Sequence, residues 1–175
     1  VSLAGAQQFA YTRGRDAKDE LANYHFYLSW FTCLSRRQKV ALYCADVSGA
    51  FDRVCSERLV EILLAKGVPI QFVRLIKSWL RKRVARVVVN GARSETNVLH
   101  NMVFQCTVWG PWLWNTFFED ARVAINDACF EDCVYADDLN AWRAFDTAVA
   151  NETSLGAAEG CQETLHEWGR ANQVV

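Results

Sequence analysis

The apolar run Val40-Ala41-Leu42-Tyr43-Cys44-Ala45 leads straight into Asp46, and Cys133-Val134-Tyr135 leads through Ala136 into Asp137-Asp138 before Asn140-Ala141-Trp142. The first run has no polar alternation. That pattern suits a strand buried on both faces, although periodicity alone leaves a helix open. The second stretch places a tight turn between two apolar runs and reads as a hairpin. Together they bring three carboxylates, Asp46, Asp137 and Asp138, to strand ends.

Outward from these runs the elements alternate in kind. Asp16 can cap a helix from Ala17, with Asp19 as the reciprocal partner three residues on, and Ala17, Leu21, Tyr24, Leu28 and Phe31 give that helix one apolar stripe. A second helix runs from Ser56 to about Lys66 and stops at Gly67-Val68-Pro69. A third runs from about Ile70 to Arg81, with Val73, Ile76, Trp79 and Leu80 on one face. Val84 to Val89, Asn90-Gly91 and Ala92 to Leu99 read as a hairpin, because both residues of such a turn need positive φ. Gly110-Pro111 opens a fourth helix whose apolar side is Leu113, Trp114, Phe117, Phe118, Ala121 and Ile125. Leu155, Ala158, Cys161, Leu165 and Trp168 mark a last one, followed by Gly169.

The chain has 175 residues, 51% hydrophobic and 22% charged, which is the composition of one folded domain with a substantial core. No apolar run is long enough to span a membrane, and no signal peptide opens the chain. Seven cysteines without a C-x-x-C pair fit a reducing, intracellular setting, nucleus or cytoplasm, better than a disulfide scaffold. Cys129 and Cys133 lack partners for a zinc site and read as buried thiols. The chain begins with Val1, and Met102 is its only methionine, so it reads as a fragment of a longer protein. The net charge of −1 conceals a segregation: eight of the 19 basic residues and none of the 20 acidic ones lie between Ile62 and Ser94. Lys66, Arg74, Lys77, Arg81, Lys82, Arg83, Arg86 and Arg93 form this band, which fits a polyanion as readily as a solvated helix face.

The carboxylates carry the chemistry. Two unit charges ~4 Å apart repel by about 1 kcal/mol in water and about 4 kcal/mol at an effective dielectric near 20. A pair such as Asp137-Asp138 beside apolar strands calls for a cation, although Asp is also common in plain surface turns. Three carboxylates on neighbouring strand ends can hold two Mg²⁺ ions about 3.5–4 Å apart, activating a hydroxyl and stabilising a leaving oxygen.

The stretch Ala41-Leu42-Tyr43-Cys44-Ala45-Asp46-Val47-Ser48-Gly49-Ala50-Phe51-Asp52-Arg53-Val54 resembles motif A of reverse transcriptases. Tyr135-Ala136-Asp137-Asp138 resembles their motif C, and Gln105-Cys106-Thr107-Val108-Trp109-Gly110-Pro111 their motif B. Gln8-Phe9-Ala10-Tyr11-Thr12-Arg13-Gly14-Arg15 is similar to the segment that precedes motif A, and Trp168 to Gln173 to the start of motif D. Order and spacing agree, and the variants of the motifs resemble the non-LTR retrotransposon and group II intron-like type.

That resemblance implies an α+β polymerase palm, a ferredoxin-like antiparallel sheet backed by helices, with part of the fingers, over residues 1–175. It implies RNA-directed DNA polymerase activity: two-Mg²⁺ nucleotidyl transfer from a dNTP to a primer 3′-hydroxyl on an RNA or DNA template, with Mn²⁺ able to substitute. Asp46, Asp137 and Asp138 would be the catalytic metal ligands, completed by the carbonyl of Val47. Ala50, Phe51, Gln105 and Tyr135 would meet the nucleotide or primer, with Phe51 as the gate against a ribose 2′-hydroxyl. No membrane and no protein partner is implied. The family's upstream Arg-Pro-Ile motif, downstream motif D lysine and thumb are missing from the chain, so the fragment alone is expected to be inactive. Cys106 stands where motif B has glycine, a substitution that costs stability or access if that position needs positive φ. Two alternatives stay open: an inactive retroelement remnant that binds nucleic acid, and an RNA-dependent RNA polymerase, against which Phe51 argues.

Overall fold

In the computed structural model, residues 7–16, 19 and 24–174 are described. Helix α1 (Tyr24–Ser35) precedes strand β1 (Gln38–Asp46), a 3₁₀ turn (Ala50–Arg53), α2 (Ser56–Ala65) and α3 (Ile70–Leu80). Four short strands follow, β2 (Arg83–Ala85), β3 (Val88–Val89), β4 (Ala92–Arg93) and β5 (Asn97–Leu99). The chain then forms α4 (Gly110–Asp127), β6 (Glu131–Tyr135), β7 (Asp138–Asp146) and α5 (Asn151–Asn172). It is an α+β fold built on an antiparallel sheet.

That sheet has the order β1-β7-β6. Its register runs from Gln38 opposite Asp146 to Asp46 opposite Asp138, and Tyr135 opposite Asp138 closes the β6–β7 hairpin. The N-terminal segment adds to the free edge of β6, where Gln8 bridges Val134 in parallel. Phe9 N–H donates to the Val134 carbonyl at 3.0 Å, and Val134 N–H donates to the Gln7 carbonyl at 3.0 Å.

Side chains of a strand alternate between faces, and here the sorting decides where the carboxylates sit. Ala41, Tyr43, Ala45, Val134, Leu139 and Ala141 pack into the main core with α4 and α5. Val40, Cys133, Tyr135 and Trp142 gather with Phe9 on the opposite face. Asp46 and Asp138 follow the parity of that second, more open face. The expectation of a β1 buried on both faces is therefore corrected: Leu42, Cys44 and Asp46 are exposed. β1 lies at the sheet edge, and its outer face is apolar in composition without being covered, which erased the alternation from the sequence.

The core is aromatic. Trp114 is fully buried, stacks on Phe118 with centroids 5.0 Å apart, and meets Phe51 at 5.8 Å. Trp168 of α5 stands edge-on to Phe117 and Phe118 at 5.8 and 5.4 Å. Such pairs contribute about 0.5–1.5 kcal/mol each beyond their area. A buried ion pair ties α4 to β6, with Arg122 donating to both oxygens of Asp132 at 2.5 and 3.2 Å, and Glu119 and Asn126 complete it. Such a pair contributes more to register than to net stability.

The local stop and turn signals hold. Gly67 at φ 75° follows α2, Pro111 lies in the first turn of α4, and Asn90 and Gly91 take φ 49° and 82° between β3 and β4. Asp16 and Asp19 exchange backbone-to-carboxylate hydrogen bonds of 2.9 and 2.8 Å, the reciprocal capping arrangement. Of the apolar stripe expected of that first helix, Ala17 and Leu21 lie outside the described residues. None of the seven cysteines is in a disulfide; Cys133 is buried, but Cys129 is exposed, at φ 63° just after α4. The expected burial of Cys129 is corrected, because the residue serves the left-handed helix exit. Among the described residues no helix is long and apolar enough to cross a membrane.

Two glycines separate packing from propensity. A Cβ on Gly110 would lie 2.6 Å from the Phe104 carbonyl oxygen and 2.9 Å from Thr107 Oγ1, whereas one on Gly156 in α5 would meet nothing within 4 Å. Gly110→Ala is expected to destabilise by about 1–3 kcal/mol, and Gly156→Ala to stabilise by about 0.5–1 kcal/mol. Denaturant unfolding of the two variants checks both signs.

Candidate active site

Asp46 ends β1 and Asp138 begins β7, directly opposite one another, and Asp137 is the second residue of the two-residue turn between β6 and β7. Tyr135 pairs with Asp138 across the hairpin, so it shares their face. Three carboxylates and one phenol thus meet at one end of the open face. Asp46 and Asp138 are exposed and Asp137 is half-buried. Burial raises the Asp137 carboxyl above the ordinary aspartate range; a hydrogen bond from its own backbone opposes this, and the charges of Asp46 and Asp138 add to the rise.

Carboxylates are hard oxygen donors of the kind that Mg²⁺ takes, and their mutual repulsion is what a divalent cation relieves. The donor set therefore fits such an ion in kind. As the side chains stand, no three His, Cys, Asp or Glu among the described residues are gathered closely enough to share one. The Val47 carbonyl accepts from Ala50 N–H at 3.2 Å and keeps a second lone pair.

Ala50 and Phe51 lie in the 3₁₀ turn after Gly49, whose φ of 64° redirects the chain out of β1. Both are buried, and the Phe51 ring packs against Trp114 in the core. The Phe51 carbonyl accepts from Val103 N–H at 2.7 Å, which ties this turn to the segment leading into Gln105. Gln105 and Cys106 are both exposed. Cys106 has φ 60°, so this position takes the left-handed region, and cysteine occupies it under strain. Thr107 Oγ1 accepts from Gly110 N–H at 3.1 Å and donates to the Phe104 carbonyl at 2.7 Å, anchoring this loop to the start of α4.

Three residues that sequence reasoning did not place at the site belong to it. Burial raises the Tyr11 hydroxyl pKa, and the charge of Asp137 and the neighbouring Tyr135 and Cys106 raise it further. Gln8 and Trp114 both hydrogen-bond the Ala136 carbonyl, at 3.3 and 2.8 Å. Gln8 stood within a recognised motif, but nothing local in the sequence assigned a partner 128 positions away.

Beside Asp46 opens a cavity of about 350 Å³, lined among others by Arg53, His166, Trp168 and Arg170. The basic band is mostly available to a polyanion: Arg74, Lys77, Arg81, Lys82, Arg86 and Arg93 are exposed. Arg83 departs from that expectation. Its guanidinium sits over the Trp79 and Phe104 rings, 5.6 and 4.7 Å from their centroids, and donates to the Leu80 and Met102 carbonyls. Its role is to join α3 to the loop before Gln105.

Two stability outcomes follow from this geometry. Because the folded-state pKa of Asp137 is raised, the folded protein holds that proton more tightly than the unfolded chain does. Stability is lost as pH rises from the unfolded aspartate value through the raised one, and the penalty persists at neutral pH. Asp137→Asn is expected to raise Tm at pH 7 by about 1–2 °C after discounting for solvent screening, with the gain vanishing near pH 4. Thermal melts across that range check it. Cys106→Gly relieves a left-handed penalty of about 1–2 kcal/mol against the greater unfolded-state freedom of glycine, for a net gain of about 0.5–1 kcal/mol in denaturant unfolding.

A sequence model of the family described as reverse transcriptase (RNA-dependent DNA polymerase) matches residues 2–173. The chain is also 34% identical over 125 residues to the RNA-directed DNA polymerase from mobile element jockey of Drosophila melanogaster. The match covers 69% of this chain and 13% of that protein, so the chain spans a small part of the relative's length. With the motifs falling in the same order on the sheet, the turn and the helix that frame the carboxylates, the chain belongs to the reverse transcriptase family.

Proposed function

We propose that these residues form the palm, with part of the fingers, of an RNA-directed DNA polymerase, and that Asp46, Asp137 and Asp138 are its catalytic carboxylates. The observation that carries the reading is the register that sets Asp46 opposite Asp138 with Asp137 at the adjoining turn, in a chain of this family. In the reaction the primer 3′-hydroxyl oxygen attacks the α-phosphate of a dNTP. The new phosphodiester bond forms, the bond to the bridging oxygen breaks, and pyrophosphate leaves. Two Mg²⁺ ions, or Mn²⁺, held by the carboxylates and the Val47 carbonyl would lower the hydroxyl pKa and neutralise phosphate charge.

The protein's own groups then supply position and field. Tyr135, paired with Asp138 across the hairpin, and Gln105, in the loop before α4, would be the contacts for primer and nucleotide. Phe51, packed against Trp114 and tied at its carbonyl to Val103 N–H, would be the group that excludes a 2′-hydroxyl. The exposed basic residues of α3 and the β2–β5 hairpins offer a path for the template–primer backbone, with an affinity that falls with salt. One observation favours the second reading, a nucleic-acid-binding remnant: cysteine under strain at the motif B glycine position.

Primer extension on an RNA template tests the proposal, using the protein that carries these residues in its natural reading frame. Asp137→Asn is expected to lower dNTP incorporation by more than about 100-fold, since it removes a charge that the transition state needs. Residual extension within about tenfold of the unsubstituted protein overturns the assignment. Phe51→Val is expected to raise the rNTP-to-dNTP incorporation ratio roughly tenfold, a ratio in which any loss of folded protein cancels.

A further inference from the structure

The turn that presents Asp137 is strained. Ala136 has φ 59°, while Asp137 is not in the positive-φ region, so the left-handed geometry falls on the first turn residue alone. Turns of that form favour glycine at this position. An L-residue there costs about 1–2 kcal/mol, and alanine has no polar side chain with which to offset it. Such a conformation persists only where the surroundings over-determine it.

Here the surroundings are one side chain and one indole. Gln8 Oε1 accepts from Ala136 N–H at 3.2 Å, and Gln8 Nε2 donates to the Ala136 carbonyl at 3.3 Å. A single carboxamide thus grips the same residue's donor and acceptor at once, which few side chains can do. Trp114 Nε1 donates to the same carbonyl at 2.8 Å from the centre of the core. Gln8 is itself fixed: it is 2% exposed, its Oε1 also accepts from Ala10 N–H at 3.1 Å, and the backbone on either side of it is paired to Val134.

We propose that Gln8 is a positioning residue of the active site, whose carboxamide, backed by the Trp114 indole, holds Ala136 in its left-handed turn and thereby sets Asp137 beside Asp46 and Asp138. This rests on the reading of those carboxylates as the metal-binding centre. Gln8 touches no reacting atom; it acts through one peptide. The competing role is that of an ordinary buried polar residue joining the N-terminal segment to β6. The two differ in one respect. A residue that opposes strain at Ala136 is needed less when glycine stands there, whereas a residue that joins two segments is needed equally.

The experiment is a double-mutant cycle on this chain, with Gln8→Met, Ala136→Gly and the pair together. Two quantities are read: Mn²⁺ affinity by titration, and the backbone amide resonances of the two turn positions, 136 and 137, against those of Leu139 and Ala141. Gln8→Met is expected to weaken Mn²⁺ binding by at least about fivefold and to shift or broaden the turn resonances, leaving Leu139 and Ala141 in place. In the Ala136→Gly background the same substitution is expected to change affinity by less than about twofold. Equal losses in both backgrounds, or a Gln8→Met chain with unchanged affinity and turn resonances, overturn the proposal. Should the unsubstituted chain bind no Mn²⁺, the metal-site reading fails, and the amide resonances alone decide the role of Gln8. If Gln8→Met does not fold, Gln8→Glu, which keeps the acceptor oxygens and loses the Nε2 donor, takes its place in the cycle.

Discussion

The pairing of β1 with β7 is the constraint from which the rest of the molecule takes its form. Strand side chains alternate, so a slip of one residue would turn every β1 side chain to the other face. Asp46 would then enter the helix-backed core beside Leu139 and Ala141, and Tyr43 would leave it. A buried, unpaired carboxylate costs several kcal/mol, and the lost apolar contacts of Ala41, Tyr43 and Ala45 would add to that. Burial of three core residues is therefore what fixes the position of the carboxylate that lies outside the core. Packing and the candidate chemistry share a single register.

How much of this was legible beforehand follows from the range of the interactions. Asn90-Gly91, Gly67 and Gly110-Pro111 act on their immediate neighbours, and the structure places a turn, a helix end and a helix start there. The core face of α4 was legible too, because Leu113, Trp114, Phe117, Phe118, Ala121 and Ile125 carry the helical period without interruption. The open face of β1 was not, since Leu42 and Cys44 are apolar by type and exposed by position. Arg83 read as one cation among eight, and only the proximity of two rings and two carbonyls shows it to be internal. The three carboxylates stood out through adjacency and motif order. The groups that hold them in place did not, because a hydrogen bond between Gln8 and Ala136 leaves no local trace.

Backbone strain also sorts into two kinds. Among the non-glycine residues at positive φ, Arg37, Lys82, Cys129 and Gln173 each follow a helix, and Asn90 sits in a hairpin turn of the usual composition. These are ordinary exits and need no functional account. Tyr11, Cys106 and Ala136 follow no helix; Ala136 precedes Asp137 directly, and the Tyr11 hydroxyl is influenced by both Asp137 and Cys106. Strain that no helix exit or hairpin composition accounts for falls, in the described chain, at Tyr11, Cys106 and Ala136, each within a stretch that carries a family motif.

Strain of equal size need not be equally secured. Ala136 is held by three hydrogen bonds from two buried side chains, whose own positions are set by the sheet edge and the aromatic core. Cys106 is exposed, with no side-chain hydrogen bond among the described residues, and the bonds that fix its loop begin one residue later, at Thr107. The turn bearing Asp137 therefore shares the stability of the core, because distorting it means breaking contacts to Gln8 and Trp114. The loop bearing Gln105 is tied to the core at Val103, Phe104 and Thr107, while Gln105 and Cys106 themselves are exposed between those ties. The two strained positions are thus secured differently: Ala136 by side chains that reach into the core, Cys106 only through the backbone ties of its neighbours.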